Sequence, residues 1–236
     1  MANMVFVDMP AGTGFSYAET QEGWVSSDTI QVANYKDFIK KGYILCSPLT
    51  NKFMDFNSRI EYAHRMALIS DDIFESAINN CNGNYVDTIQ ANSVCSKSLQ
   101  SYEECTSRIN FDNILEPVLD DDEYDIGTLA LNEWGNMEAV QQALNVHQGM
   151  VGKFEEINST LHYNQGKNDT ICYAYDIFSS YSYHKKLSTK SCRALIFSGD
   201  HDLTFPYVGV EQWIASLNLE VEAPWKPFYV DNQVGG

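Results

Sequence analysis

The sequence predicts an α/β fold with a reduced, mostly parallel sheet and a helical insertion. Three observations carry this expectation. Short apolar runs at Met4–Val7, Tyr43–Cys46 and Ala194–Phe197 have strand length, and each is followed by helical text. A polar, cysteine-bearing stretch with helical periodicity, around 57–130, separates the second run from the third. The third run ends in Gly199, Asp200 and Asp202, beyond the carboxyl end of a strand, where parallel α/β sheets gather functional groups.

Composition bounds the rest. Hydrophobic residues make up 44% of the 236 and aromatics 13%, enough for a core and unlike a disordered chain. A net charge of −17 excludes nucleic acid and anionic membrane as partners, because both would repel it. No stretch approaches the length of a membrane span, and the opening MANMVFVDMP lacks the basic region and cleavage site of a signal peptide. Six cysteines are neither dense enough for a disulfide scaffold nor spaced as metal pairs, so no metal or cofactor is expected. Two N-x-S/T triplets make Asn158 and Asn168 candidate glycosylation acceptors; with the even cysteine count they lean toward a secretory ancestry.

Taken in order, Met4–Val7 reads as a buried strand closed by Asp8 and Pro10, followed by the glycine-rich loop GTGFSYAE from Gly12 to Glu19. Asp28 is placed to cap a helix over about Thr29–Lys41, with Ile30, Ala33 and Phe38 on one face. Gly42 stops that helix, and Tyr43–Cys46 forms the next strand before Pro48. From Asn57 the spacing puts Ile60, Ala63 and Ala67 on one stripe, with His64 structural. Ser70 caps a new helix through Ile78, with Asp71 and Asp72 in its acidic first turn. Tyr102–Ile109 forms a short helix. The run Asp120–Glu123 fails the calcium-loop pattern and is a solvated linker. Asn136 caps a helix that turns Met137, Val140, Ala143 and Leu144 inward, and Trp213–Leu217 is helical. For Asp200 and Asp202, a turn with a helix cap and a functional acid pair fit equally well.

Gly14-Phe15-Ser16-Tyr17-Ala18 is one glycine short of a nucleophile elbow. An elbow needs a strand that delivers serine within a residue or so into a tight turn opening a helix. Seven residues, Met9 to Phe15, separate Asp8 from Ser16, and no convincing helix follows, so Ser16 does not qualify. No G-x-S-x-G occurs in the chain, and none of His64, His147, His162, His184 and His201 stands on a glycine loop after Asp202, where the Ser–Asp–His order would put the base.

VFVDMPAGTGFSYAET, GYILCSPLTNKFMDFNSRIEYAHRMALISDDIFES, YEECTSRINFDNILEP and RALIFSGDHDLTFPYVGVEQWIASLN together resemble plant serine carboxypeptidase-like proteins over nearly the whole chain. The resemblance implies an α/β-hydrolase fold, here incomplete, in one domain over 1–236. It also implies a Ser–Asp–His triad that serves carboxypeptidases or acyltransferases drawing on glucose esters, with ester or peptide substrates. The GDHD form with EQWIASLN looks more like the acyltransferase branch. Members are secreted or vacuolar. Asp202 matches the triad acid, Gly12, Thr13, Gly14, Phe15, Ser16 and Tyr17 match a loop bordering the substrate pocket, and Cys81 and Cys95 match positions that can pair locally.

The departures matter as much. The family's GDSYSG or GESYAG elbow would fall where Lys41 abuts Gly42, its GGPGCSS oxyanion loop would precede Met1, and its GGGH histidine would follow Gly236. Ile157 stands where the family usually has a cysteine, and Cys46 replaces a glycine. The expectation is a marginal, catalytically incomplete protein with retained helices and exposed apolar surface. A binding role toward full-length relatives through an exposed sheet edge is the alternative, and a hydrolase improvised from Ser16, Asp202 and His201 ranks last.

Overall fold

The computed structural model describes residues 7–20, 22–35, 42–86, 93–118, 126–155, 162–163, 172–190 and 192–235. After the loop of residues 8–20 comes a 3-10 turn at Glu22–Trp24, then β1 (Ser26–Ser27), α1 (Asp28–Tyr35) and β2 (Gly42–Cys46). The helices α2 (Lys52–Arg65), α3 (Asp71–Cys81), α4 (Ser93–Thr106), α5 (Ile126–Asn136) and α6 (Glu138–Ala143) follow. The remainder holds β3 (His162–Tyr163), β4 (Cys172–Ala174), α7 (Tyr181–Ser188), β5 (Arg193–Phe197), α8 (Tyr207–Ser216) and the hairpin β6 (Tyr229–Val230) and β7 (Gln233–Val234).

The second and third apolar runs pair directly. β2 lies parallel to β5, with Gly42 opposite Arg193 and Cys46 opposite Phe197. A Cβ at position 42 would stand 2.7 Å from the Arg193 carbonyl oxygen, so the close approach there requires glycine. A second parallel sheet runs in the order β1-β4-β3, and the hairpin forms a third, antiparallel one. Of the first predicted strand, Met4–Phe6 lie outside the described residues and Val7 has irregular backbone. The acidic run 120–123, Asn158, Asn168, Ile157 and Phe38 also lie outside them.

The core belongs to the helices. Ile60 and Ala63 of α2 pack with Ile69, Ala77 and Cys81 around α3, and with Cys95, Leu99 and Tyr102 of α4. Cys81 and Cys95 form a disulfide across this cluster. On the adjoining side of α2, Tyr62 packs with Leu203 and Val208, joined by Ile109, Phe111 and Tyr207. The β2–β5 sheet, by contrast, is poorly covered: Ile44 is 52% exposed, Leu195 58% and Phe197 49%. Parallel strands are normally buried on both faces, which is why their sequences are apolar throughout.

Several local expectations need correction. α1 is capped by Ser27, whose Oγ accepts the Ile30 amide at 3.2 Å, while Asp28 instead accepts from the Tyr173 hydroxyl (2.5 Å) and the Ile177 amide (2.8 Å). The stripe on α2 ends at Ala63, because Ala67 is left-handed (φ +56°) and closes the helix with Leu68 N–H donating to Ala63 O at 2.8 Å and Ala67 N–H to His64 O at 3.0 Å. Ser70 does cap α3, though the bond to the Ile73 amide is long at 3.4 Å and the helix runs on to Cys81. The helix expected at 102–109 is α4, which starts at Ser93 and ends at Thr106. Its buried face, Cys95, Ser98, Leu99, Tyr102 and Thr106, is half polar, so the hydrophobic period is faint. Asn136 is the last residue of α5, not a cap: its amide spans Asn132 O (2.7 Å) and Phe154 O (2.8 Å), and its oxygen accepts Phe154 N–H (2.9 Å). Met137 and Leu144 therefore stay exposed, and α6 buries no residue. The helix expected at 213–217 starts earlier, at Tyr207.

Candidate active-site remnant

β5 delivers Gly199-Asp200-His201-Asp202 into a turn clamped from two sides. From α2, the buried Tyr62 hydroxyl donates to Asp200 O at 2.7 Å, and Arg59 donates through Nε and Nη2 to Thr204 O at 3.1 and 2.8 Å. From the segment after α4, Phe111 O accepts both Leu203 N–H (2.8 Å) and Thr204 N–H (2.9 Å), and Ile114 N–H donates to His201 O at 3.0 Å. Burial, reinforced by the charges of Asp200 and Asp202 and by Tyr207, pushes the Tyr62 phenol up to about 12, so it remains a donor at any working pH.

Within the turn, Asp202 Oδ1 accepts the Phe205 amide at 2.8 Å. That bond closes the turn rather than capping the helix, since α8 begins at Tyr207 behind Pro206 with no side-chain cap, and it commits one of the two oxygens. The other makes no hydrogen bond to the described residues, which leaves it able to accept from an imidazole. Asp200 points outward, 85% exposed, and pairs with its neighbour His201 at 2.9 Å. His201 is therefore turned to Asp200 rather than offered to a serine.

The loop of residues 8–17 is built around Asp8. Its carboxylate accepts Phe15 N–H at 3.0 Å and fills the space where a Cβ on Gly14 (φ +54°) would lie. Ser16 Oγ donates to the Asp8 carbonyl, and Gly12 N–H donates to Ser16 O at 2.9 Å. A hydroxyl whose proton is given to a main-chain carbonyl, and which bonds to no imidazole among the described residues, is not an activated nucleophile. Phe15 packs its ring 4.7 Å from Phe154, and the Tyr17 hydroxyl meets His147 Nδ1 at 3.0 Å. The loop's contacts thus run to His147 and Phe154, whereas those of the Asp202 turn run to α2 and residues 111–114.

A serine–histidine contact that sequence reasoning missed lies at α7. Ser180 Oγ meets His184 Nε2 at 3.2 Å, and His184 Nδ1 meets the Tyr43 hydroxyl of β2 at 3.0 Å. The ring rests 5.2 Å from that of Trp213, which is fully buried, and burial pulls the His184 pKa below its usual value. A neutral imidazole beside a hydroxyl is the start of a catalytic pair, and the four-residue spacing Ser180–His184 was its sequence signal. The third member is wrong, however. A phenol stands where a carboxylate would stabilise the imidazolium, and Ser180 is tied by its own N–H to Thr50 O at 2.8 Å. The contact pins α7 and α8 to β2. His64 is likewise structural, stacked 4.0 Å from Phe74 and bonded to Asp71 at 2.7 Å. Among the described residues no cluster of histidine, cysteine or carboxylate side chains could hold a metal ion.

Comparison with known proteins gives this geometry a setting. The family model described as serine carboxypeptidase matches residues 1–41 and 34–236. Serine carboxypeptidase-like 16 of Arabidopsis thaliana is 33% identical over 286 residues, an alignment covering all of this chain and 63% of that protein. Serine carboxypeptidase-like 13 is 33% identical over 281 residues, again covering 63% of its length. The chain thus spans about 63% of the curated relatives it matches. Among solved structures, the prohormone-processing carboxypeptidase Kex1(delta)p of Saccharomyces cerevisiae superposes with a TM-score of 0.56 at 14% identity, covering 90% of this chain and 59% of that one. At that identity the likeness speaks for the fold alone: these short parallel sheets and helices are a partial α/β-hydrolase fold.

Proposed function

The chain belongs to the serine carboxypeptidase family, and on that premise we propose that it is a catalytically incomplete member, keeping the triad acid Asp202 without a nucleophile for that acid to serve. The observation that carries this reading is internal to the chain. Lys41 abuts Gly42 where the family resemblance calls for an elbow strand and its serine. Alignment with a relative runs to 286 positions against 236 residues here, and the family pattern restarts between residues 34 and 41, the same junction. Neither Ser16 nor Ser180 is placed to substitute, since each is tied to a main-chain carbonyl. Loss of the nucleophile in a Ser–His–Asp system costs about a million-fold in turnover. Peptide hydrolysis, or acyl transfer from glucose esters, is therefore expected to be absent. A fluorophosphonate probe tests this directly. No covalent labelling is expected; stoichiometric labelling abolished by Ser16→Ala or Ser180→Ala would overturn the reading.

One observation favours a second role, as a non-catalytic partner of full-length relatives. β2 and β5 leave Ile44, Leu195 and Phe197 about half exposed on a sheet that pairs with no further strand among the described residues, and an unpaired edge accepts strand addition. Capture of a full-length serine carboxypeptidase-like protein, lost on Ile44→Asp, would support that role, and capture unaffected by the change would remove it.

A further inference from the structure

Two surfaces of the chain are apolar and uncovered, and their chemistry matches. The first is the open face of the β2–β5 sheet. The register pairs Ile44 with Leu195 and Cys46 with Phe197, and alternate residues of a strand point the same way. These four therefore share one face, and all are exposed. On the opposite face Tyr43 meets His184 of α7. Among the described residues no further strand pairs with β5 on the side away from β2.

The second surface is the segment after α8. Every residue from 218 to 235 is exposed, with Val221 at 79% and Trp225 at 94%. Within it, Leu219-Glu220-Val221-Glu222 alternates apolar and acidic residues, the period of a strand buried on one side, yet it belongs to no strand. Pro224 ends the alternation. Large apolar side chains exposed in such a run mark a contact surface.

Charge decides what this segment fits. Between Asp176 and Asp200 the sequence holds no acidic residue, although the chain carries 32 of them against 15 basic ones. The interval holds Lys185, Lys186, Lys190 and Arg193, all exposed, and none forms an ion pair among the described residues. Lys185 and Lys186 complement the carboxyl end of α7. Lys190 and Arg193 lie beyond that helix, and Arg193 opens β5. A basic stretch thus leads into an unpaired apolar strand, in a chain whose free strand-length segment is acidic and apolar by turns. That segment makes no hydrogen bond to β5 of its own molecule among the described residues.

We infer that the chain associates with itself head to tail, residues 219–222 of one copy adding as a strand beside β5 of the next. Leu219 and Val221 then extend the open apolar face, and Glu220 and Glu222 turn to the α7 side, toward Lys185, Lys186 and Lys190. Two different surfaces meet, so each copy keeps one of each free, and growth continues past a dimer unless a ring closes. The association does not depend on whether the chain is catalytic. It gives the sheet proposed above for full-length relatives a different occupant.

Sedimentation velocity of the full chain over a range of concentrations is the test. The average mass should rise with concentration. Val221→Asp on the exposed segment and Leu195→Asp on the sheet should each abolish the rise, with circular dichroism unchanged. Mixed in equal amounts, the two variants should recover a dimer and nothing larger, because a single working segment meets a single working sheet. If Leu195→Asp does not fold, Lys185→Glu with Lys186→Glu takes its place in the mixture. Glu220→Lys with Glu222→Lys should move association to concentrations about tenfold higher or more, since like charges then meet across the interface. A parent chain that sediments as a monomer throughout, association that survives Val221→Asp, a mixture that stays monomeric, or glutamates reversed without effect would each overturn the inference. If the sheet serves only full-length relatives, the parent is monomeric, and capture of a relative is lost on Ile44→Asp but kept by Val221→Asp.

Discussion

His184 links three elements that the sequence places far apart: it sits on α7, meets Tyr43 of β2 and rests on Trp213 of α8. Burial lowers its pKa, so the folded chain binds a proton there less readily than the unfolded chain does. The sign follows. Above the unfolded value, about 6.5, the ring is neutral in both states and its contribution is complete and constant. Below it the unfolded state takes up a proton that the folded state refuses, and stability falls until the folded pKa is reached. One proton differing between states gives a ceiling of about 1.4 kcal/mol per pH unit. The ring is only half-buried, so solvent screening keeps the total below what a fully enclosed imidazole would give. Urea unfolding followed by tryptophan fluorescence reports on this site, because Trp213 is its neighbour. The comparison to make is the parent chain against His184→Asn between pH 7.5 and 5.5, so that the general titration of this acidic chain cancels. The parent should hold a constant advantage above pH 6.5 and lose part of it below. A difference that does not change with pH would refute the argument that His184 is held neutral by burial.

Three further outcomes follow from packing. Gly209→Ala should destabilise by about 1–3 kcal/mol despite the better helix propensity of alanine, because the added Cβ would stand 2.7 Å from Ser58 Oγ and 3.2 Å from the α2 backbone at Asp55; a thermal melt unchanged from the parent would contradict this. Reducing Cys81–Cys95, which closes a loop of 14 residues at the heart of the helical cluster, should cost about 3 kcal/mol and lower the urea midpoint, and dithiothreitol supplies the test. Phe154→Ala removes a ring that is 8% exposed and packs on Phe15, with an expected loss of about 3–5 kcal/mol and faster amide exchange at Phe15 and Ser16.

What could be read in the sequence is what local chemistry decides. Ser70 ahead of Asp71-Asp72 announced a helix start because a cap depends on residues three apart, and the β2 and β5 runs announced strands because they are apolar at strand length. Asp202 was legible as a strand-end carboxylate, and of its two readings the geometry supplies a turn, closed by the Phe205 amide donating to one of its oxygens. The failures arose where distant residues intervene. Asn136 looked like a cap and is instead bound to Phe154, 18 residues on. Ala67 carried the right spacing but sits at a helix stop normally given to glycine, a choice made by Leu68 and Ile69 turning into the two cores. His184 depends on Tyr43, 141 positions away, and no period or motif encodes that separation.

The persistence of the GDHD turn is not in itself a sign of catalysis. A two-stranded sheet has little independent stability, and the exposure of Ile44, Leu195 and Phe197 shows that β2 and β5 receive little from their faces. They are held at their carboxyl ends instead. Ser47 N–H donates to Phe197 O at 2.9 Å, Tyr62 fixes Asp200 O, Leu203 is fully buried against Tyr62 and Val208, and Phe111 O takes two amides of the turn. Each of these contacts closes part of the helical core, so replacing the turn would open a cavity between α2 and α8 whether or not Asp202 ever meets a histidine. Selection for a folded helical core alone would therefore preserve the backbone around Asp202. What it would not preserve is the unbonded second oxygen of that carboxylate. Asp202→Asn keeps the bond to Phe205 and the packing, so it should leave the urea midpoint within about 0.5 kcal/mol of the parent. If it also leaves probe labelling and peptide or ester turnover unchanged, the turn is structural here. A loss of turnover without a loss of stability would instead mean that the acid still serves a base.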